Sequence, residues 1–326
     1  MTIWNQTAVL GLYTLSPTHY GTGQTTGAVD LPIARDAATG FPVLPATGIK
    51  GVLREVAEHT DTLKSKVKDL FGPEIGTEDS SQGLTVGRLA FTEARLIAYP
   101  ARGLTQPFLH VTCPLILEGL ARDLRATGAE TALPLGAQAM EAGGGARVAG
   151  SSLGGQAVVL EDLIYPAEEV THDKDLEALA NTLATLIPDQ EAATRARLKQ
   201  GLVVIPDADF GALMQSAVPV HARVQLTSGK TTDKYENKET GNTESGNLWY
   251  EEVLPSDCLF AALIGERRSR PASGSNGGDG ADKGTLGDLV ATPEAVRVLQ
   301  IGGNETVGQG LCLGTLVPAP TGRTGR

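Results

Sequence analysis

The chain has no apolar run approaching the roughly 18 residues that a membrane-spanning helix needs. Its opening, MTIWNQTAVLGLYTLSP, lacks the basic start and unbroken apolar stretch of a signal peptide. A cytoplasmic protein without membrane contact is therefore expected. Cysteine is scarce: Cys113, Cys258 and Cys312 are odd in number, far apart and without CxxC spacing. That argues against a disulfide framework or a thiolate zinc site and leaves them as small core residues.

Basic charge is also short, with 27 Lys and Arg against 38 Asp and Glu for a net charge of -11. Domains that hold bare nucleic acid by bulk electrostatics carry the opposite excess, so any RNA or DNA contact must be local. Residues 161–191 hold nine acids against the single Lys174, which reads as a solvated helical face or an interface to a basic partner.

The usual catalytic signatures are missing. There is no GxxxxGK, HExxH or GxSxG, and His19, His59, His110, His172 and His221 are scattered without ligand spacing. GTGQTTG, residues 21–27, has the spacing G-x-G-x-x-x-G and runs into VDLP instead of opening a helix, so it is not a dinucleotide fingerprint. Conventional hydrolase, zinc and nucleotide chemistries lose their support.

What is present is enough apolar sequence, over 326 residues, to bury a sizeable core in one large domain with insertions or in two ordinary ones. TAVLGLYTLS (7–16) alternates as a first strand, and TGIKGVLREVAEHT predicts a helix that buries Ile49, Val52, Leu53, Val56 and Ala57, with Thr47 as N-cap. Strands are expected near 84–98 and 107–113, and a helix with Pro in its first turn near 114–126. Further on, VVLEDL reads as strand, HDKDLEALANTLATLI as helix, VVIPD as a short element and 207–216 as helix. VHARVQL, NLWYEEVLP and CLFAALIG read as strands, TPEAVRVLQ as a capped helix and GLCLGTLV as a last strand. Glycine-rich runs at 143–155 and 273–284 read as flexible loops. This mixture, without regular parallel alternation, favours an α+β fold.

Four stretches carry candidate chemistry. In GAVDLPIARD, Asp30 stands between apolar Val29 and Leu31-Pro32. If the two apolar neighbours point inward, period-two geometry turns Asp30 outward, as a metal ligand or proton acceptor, while the plain alternative is a turn-capping aspartate. Lys50 and Arg54 lie one turn apart on the first helix with no acid nearby to offset the macrodipole, which suits either a bound phosphate or a solvated basic edge. IGGNETVGQGLCLG offers the amides of Gly302, Gly303, Gly308 and Gly310 to a phosphate or base, or simply makes tight turns. Finally, 224–252 reads as two strands joined by a polar loop of about twenty residues, long for a hairpin. Lys230, Lys234, Tyr235 and Lys238 lie in that loop, and Tyr250, Glu251 and Glu252 follow it.

Taken together, LGLYTLSPTHYGTG, GAVDLPIARD, TGFPVLPATGIKGVLR, LFG, NLWYEEVLP and GGNETVGQG resemble the backbone-subunit family of the type III-B CRISPR effector, the Cmr complex, within the RAMP superfamily. The match reaches both ends of the chain, and the middle, about 130–220, carries little of it. The resemblance implies a single RAMP domain over residues 1–326: a modified RRM-like, ferredoxin-like core with helical and β-hairpin insertions. It implies a subunit that polymerises with itself in a helical filament along a guide RNA, beside other Cmr subunits, and that cuts the paired single-stranded target RNA at regular spacing. Asp30 matches the aspartate on which cleavage depends in that family; His19, Tyr250, Glu251 and Glu252 match further family positions. Lys50, Arg54 and the final glycine loop match its guide-binding surfaces.

The expected chemistry is attack of a 2'-hydroxyl on the adjacent phosphorus, with a divalent ion, Mg2+ or Mn2+, held partly by Asp30. A regular A-form duplex keeps that oxygen out of line, so a hairpin must distort it, and 224–248 is a candidate. Many copies sharing one RNA would supply the affinity that net charge denies a monomer. A non-catalytic guide scaffold and a stand-alone guide-processing ribonuclease using histidine acid-base chemistry are the alternatives.

Overall fold

The strand Trp4–Thr14 is buried from Thr7 onward on both faces, which is why its sequence is almost continuously apolar. It lies between Leu259–Arg267 and Leu311–Pro318, antiparallel to both. The computed structural model describes residues 3–25, 27–74, 86–136, 144–226, 234–236, 243–245, 248–268 and 284–320. Within them an eleven-stranded sheet runs in the order Val298–Gln300, Leu311–Pro318, Trp4–Thr14, Leu259–Arg267, Ala94–Arg102, Phe108–Thr112, Leu202–Val204, Ala146–Val148, Val170–His172. Val43–Leu44 and Leu89–Phe91 add to it off this path. Two junctions are parallel, Phe108–Thr112 with Leu202–Val204 and Ala146–Val148 with Val170–His172. The architecture is the α+β one expected.

Helices cover the sheet with the faces their periodicity dictates. Ala46–His59 buries Ile49, Leu53 and Ala57, and each large side chain so placed contributes about 1.5–3 kcal/mol. Pro114–Thr127 begins with proline, whose missing N–H costs nothing there, and ends at Gly128, whose φ of 72° lets its N–H cap the last turn. On the first strand, a Cβ at Gly11 would stand 2.2 Å from the Leu186 carbonyl oxygen. Only glycine lets the short helical turn Ala184–Leu186 lie against the sheet. Buried residues from Ala8 to Leu313 form one hydrophobic cluster.

Several expectations need correction. The first helix starts at Ala46 with Pro45 at the N-cap and no side-chain cap, so Thr47 lies inside the helix and the preceding proline sets its boundary. TPEAVRVLQ divides into a helical turn, Glu294–Arg297, and an edge strand, Val298–Gln300, because pairing with Leu311–Pro318 overrides helix propensity. VVLEDL folds back as two short strands, Val158–Leu160 and Leu163–Tyr165, around Glu161 at a φ of 52°. The acids of 161–191 are not one helical face. Glu161 pairs with Arg102, and Asp173 caps the helix Lys174–Leu183 while holding Arg147. A helix over Ala192–Gly201 went unforeseen, since its sequence has almost no apolar stripe. Nearly all of the 273–284 glycine loop falls outside the described residues.

Candidate functional site

Asp30 sits in a half-buried segment fastened to the strand Leu248–Glu252. Leu31 N donates to Tyr250 O at 3.0 Å, and Glu252 N donates to Leu31 O at 3.0 Å, which makes one step of parallel pairing. The Asp30 carboxylate accepts the Tyr250 amide at Oδ2, 2.8 Å away, and its other oxygen takes no hydrogen bond among the described residues. Thr25 closes the preceding turn, donating from N to Asp30 O at 2.9 Å and from Oγ1 to Val29 O at 2.8 Å. The segment is not a regular strand, and Val29 and Leu31 are only half-buried; burial in the core begins at Ile33. Asp30 is presented by a tethered loop, not by strand alternation.

Glu251 and Glu252 do different work because successive strand residues face opposite ways. Glu251 is 2% exposed. Its Oε2 accepts Arg223 Nε at 2.9 Å, and its Oε1 accepts Asn304 Nδ2 and stands 3.4 Å from His19 Nδ1. Asn304 also donates to Gln309 Oε1 at 3.0 Å. One buried carboxylate thus joins the first loop, the closing glycine loop and the strand Val220–Val224. Glu252 turns to the other side, where its carboxylate accepts Ile33 N at 3.0 Å and Arg35 Nη2 at 3.1 Å. Tyr250, 43% exposed, stands on the Glu252 side of the ribbon.

His19 is buried, and its Nδ1 lies 2.7 Å from Glu252 O. A carbonyl oxygen only accepts, so Nδ1 carries a proton and donates it. Nε2 faces Gly21, where an added Cβ would stand 2.5 Å from it. His19 therefore acts here as a strut between the loop and the strand.

The glycine loop meets the same corner. Gly302 has a φ of 93°, and a Cβ there would stand 2.3 Å from His19 O; Gly310, at 85°, would press on Ile301 O at the same distance. The amides of Gly303, Gly308 and Gly310 already donate to His19 O, Glu305 O and Pro17 O, at 2.9, 2.8 and 2.9 Å. Those three amides are not free for a phosphate. What stays open is space, since a Cβ at Gly308 would meet nothing within 4 Å and one at Gly303 only His19 O at 4.0 Å. Gly302→Ala is accordingly expected to lower stability by about 1–3 kcal/mol, read by chemical denaturation.

On the first helix, Arg54 is engaged, Nε with Glu58 at 2.8 Å and Nη1 with Gly72 O at 2.9 Å. Lys50 makes no such contact among the described residues, and no acid occupies the first turn. Tyr20 reaches this helix, packing where a Cβ at Gly48 would fall 1.7 Å from its hydroxyl. The loop leading to Asp30 is thereby tied to the helix carrying Lys50.

Among the described residues no three His, Cys, Asp or Glu side chains converge as a metal cage. The donor set still fits a divalent ion of the Mg2+ type, which takes one or two carboxylates and fills its shell with substrate phosphate and water, because Asp30 keeps one oxygen uncommitted. The cysteines take no part: all three are buried, and burial pushes their thiols up, that of Cys312 to about 12. A groove of about 810 Å³ between the helix Pro114–Thr127 and the strand Ala94–Arg102, lined by Leu96, Leu120 and Leu263, contains none of the site residues. Sequence reasoning missed Arg35, Arg223, Asn304 and Gln309. Asn304, with a φ of 64° inside a glycine loop, was the findable one, since asparagine tolerates that conformation better than most residues.

Comparison with known proteins finds relatives along nearly the whole chain. The chain is 30% identical over 314 residues to the CRISPR system Cmr endoribonuclease Cmr4 of Pyrococcus furiosus, covering 94% of this chain and 95% of that protein. A crystal structure of oligomeric Cmr4 from Pyrococcus furiosus superposes with a TM-score of 0.67 at 25% identity, over 97% of this chain and 99% of the other. A cryo-EM structure of the Type III-B Cmr-beta bound to cognate target RNA contains a chain with the same fold, with a TM-score of 0.67 at 17% identity over 97% of this chain and 98% of the other. Residues 12–312 match the RAMP superfamily model, and the chain belongs to the RAMP superfamily.

Proposed function

We propose that this protein is a guide-RNA-binding backbone subunit of a type III-B CRISPR effector and an endoribonuclease that cuts the paired target RNA at regular spacing. The observation that carries the reading is Asp30, held half-buried by the Tyr250 amide with one carboxylate oxygen left over. It lies in a chain related along 94% of its length to an endoribonuclease.

Asp30 presents its free oxygen toward the RNA backbone, at the scissile phosphate and the 2'-hydroxyl that attacks it. Asp30 would hold a divalent ion, Mg2+ or Mn2+, which would offset the negative charge that develops during the displacement. Leu31 and Glu252 fix the segment, and Pro32 stiffens it. His19 and Glu251 hold the loop corner behind it.

Val220–Val224 pairs with Leu248–Glu252 as a ribbon, and between them in sequence Lys234–Glu236 pairs with Thr243–Ser245. Val224, Leu248 and Tyr250 are exposed on the ribbon, which is joined to Asp30 through Tyr250 N. We assign 224–248 as the element that unstacks the duplex, with these side chains receiving the displaced base. The side chains of Lys230, Lys234, Tyr235 and Lys238 lie outside the described residues.

Guide RNA is held by local contacts, repeated in each copy along a filament and supplemented by other Cmr subunits. Lys50 supplies one of them, near an uncapped helix N-terminus. Lys50→Ala should weaken guide binding and lower the slope of log affinity against log salt by about 0.7 per copy, measured by titration at several salt concentrations. The function is tested by assembling the complex with guide RNA and supplying a complementary target with Mg2+ or with chelator. A ladder of evenly spaced products that disappears with chelator is expected.

A further inference from the structure

We propose that Arg35 and Glu252 form a clamp that aims Asp30, making both of them positioning residues for target cleavage; the inference rests on the reading of Asp30 given above. The parallel pairing that starts at Leu31 N and Leu31 O should continue with Ile33 N donating to Glu252 O. It does not: Glu252 O accepts from the His19 ring at 2.7 Å. Pro32 has no N–H to offer. Ile33 N turns instead to the Glu252 carboxylate, Oε2 at 3.0 Å. A side chain replaces the next step of the ladder, and the same carboxylate accepts Arg35 Nη2 at Oε1, 3.1 Å away, so its two oxygens are divided between backbone and guanidinium.

Arg35 is itself fixed from two further directions. Its Nη1 donates to Met214 O at 3.1 Å, in the last turn of the helix Asp207–Ser216, and to Gly40 O at 3.0 Å. A cation at a helix C-terminus is favoured by the macrodipole. With side-chain exposures of 24% for Arg35 and 15% for Glu252, the pair is sheltered enough to hold one geometry. The clamp therefore references the segment after Asp30 to the ribbon, to a helix end and to the turn at Gly40. Between clamp and catalyst lie Leu31 and a proline of fixed φ, so a shift at Ile33 is passed on to Asp30. Displacements of about 1 Å at a reacting group cost about a hundredfold in rate.

The test uses the complete complex loaded with guide RNA, at saturating target and single turnover. Arg35→Ala and Glu252→Gln should each slow cleavage by about 10- to 100-fold, with target affinity and guide content within twofold of the parent. The double variant should be no slower than the slower single, since the two residues act as one unit. Arg35→Lys, which keeps the charge but not the fork, should recover part of the rate. Asp30→Ala serves as the reference: if it cleaves at the parental rate, the assignment of the site fails, whatever the clamp does. If Asp30→Ala is inactive while Arg35→Ala and Glu252→Gln cleave within twofold of the parent, the clamp is overturned. It is equally overturned if Arg35→Lys and Glu252→Gln lose assembly or target affinity in step with rate.

Discussion

Asp30→Ala in the assembled complex is expected to slow target cleavage by about a thousandfold while leaving guide content and target affinity unchanged. The magnitude is that of a positioned group acting on a proton or on developing charge. The unchanged affinity follows from the structure. Asp30 is acidic and contributes nothing favourable to holding a phosphate backbone without an ion, whereas its structural bond to Tyr250 N is a single one at a half-buried position. Losing that bond costs about 1 kcal/mol, too little to unfold the segment held by Leu31, Ile33 and Arg35. Single-turnover kinetics beside filter binding separates the two effects. Asp30→Asn keeps the acceptor for Tyr250 N and should be nearly as slow, because the lost charge is what the chemistry needs.

Glu251→Ala should instead act through stability, costing the isolated chain about 3 kcal/mol by chemical denaturation. The carboxylate is almost wholly buried, and removing it leaves Arg223 Nε, Asn304 Nδ2 and the His19 corner without their shared acceptor. Breaking a buried ion pair from one side costs about 3–5 kcal/mol. Arg223 is 29% exposed and can turn to water, which places the effect at the lower end. Cleavage should fall as well, in proportion to lost assembly and not at constant affinity, and that distinguishes Glu251 from Glu252. A denaturation midpoint that does not move would show that the buried network is not holding the loops together.

Much of this was legible from the residues. Apolar periodicity located the first strand, the helices Pro114–Thr127 and Asp207–Ser216 and the strands around Leu259–Arg267, because in each the buried face is continuous in sequence. It failed for Ala192–Gly201, whose helix is polar on most of its surface, and for Val298–Gln300, whose state is decided by a partner strand. At the site, spacing could mark Asp30 but could not separate a turn residue from a presented carboxylate. That distinction depends on pairing with Tyr250, 220 positions away.

The glycines suit either a phosphate surface or tight turns on sequence alone, and Gly302 and Gly310 are dictated first by close approach to the chain's own carbonyls. Nothing local in the sequence reveals a neighbour that arrives from His19. The same holds for the two glutamates: alternation shows that Glu251 and Glu252 face apart, but only the fold shows that one faces Asn304 and the other Arg35.

The central claim, that each copy of this chain cuts the target with its own Asp30, is tested most directly by complexes assembled from mixtures of parental and Asp30→Ala chains. Products are then resolved at each cleavage position. The account predicts that cutting at every position falls in proportion to the fraction of Asp30→Ala chain, while the target stays bound and the spacing of the remaining cuts is unchanged. Full cutting at all positions by complexes built only from Asp30→Ala chains would contradict it.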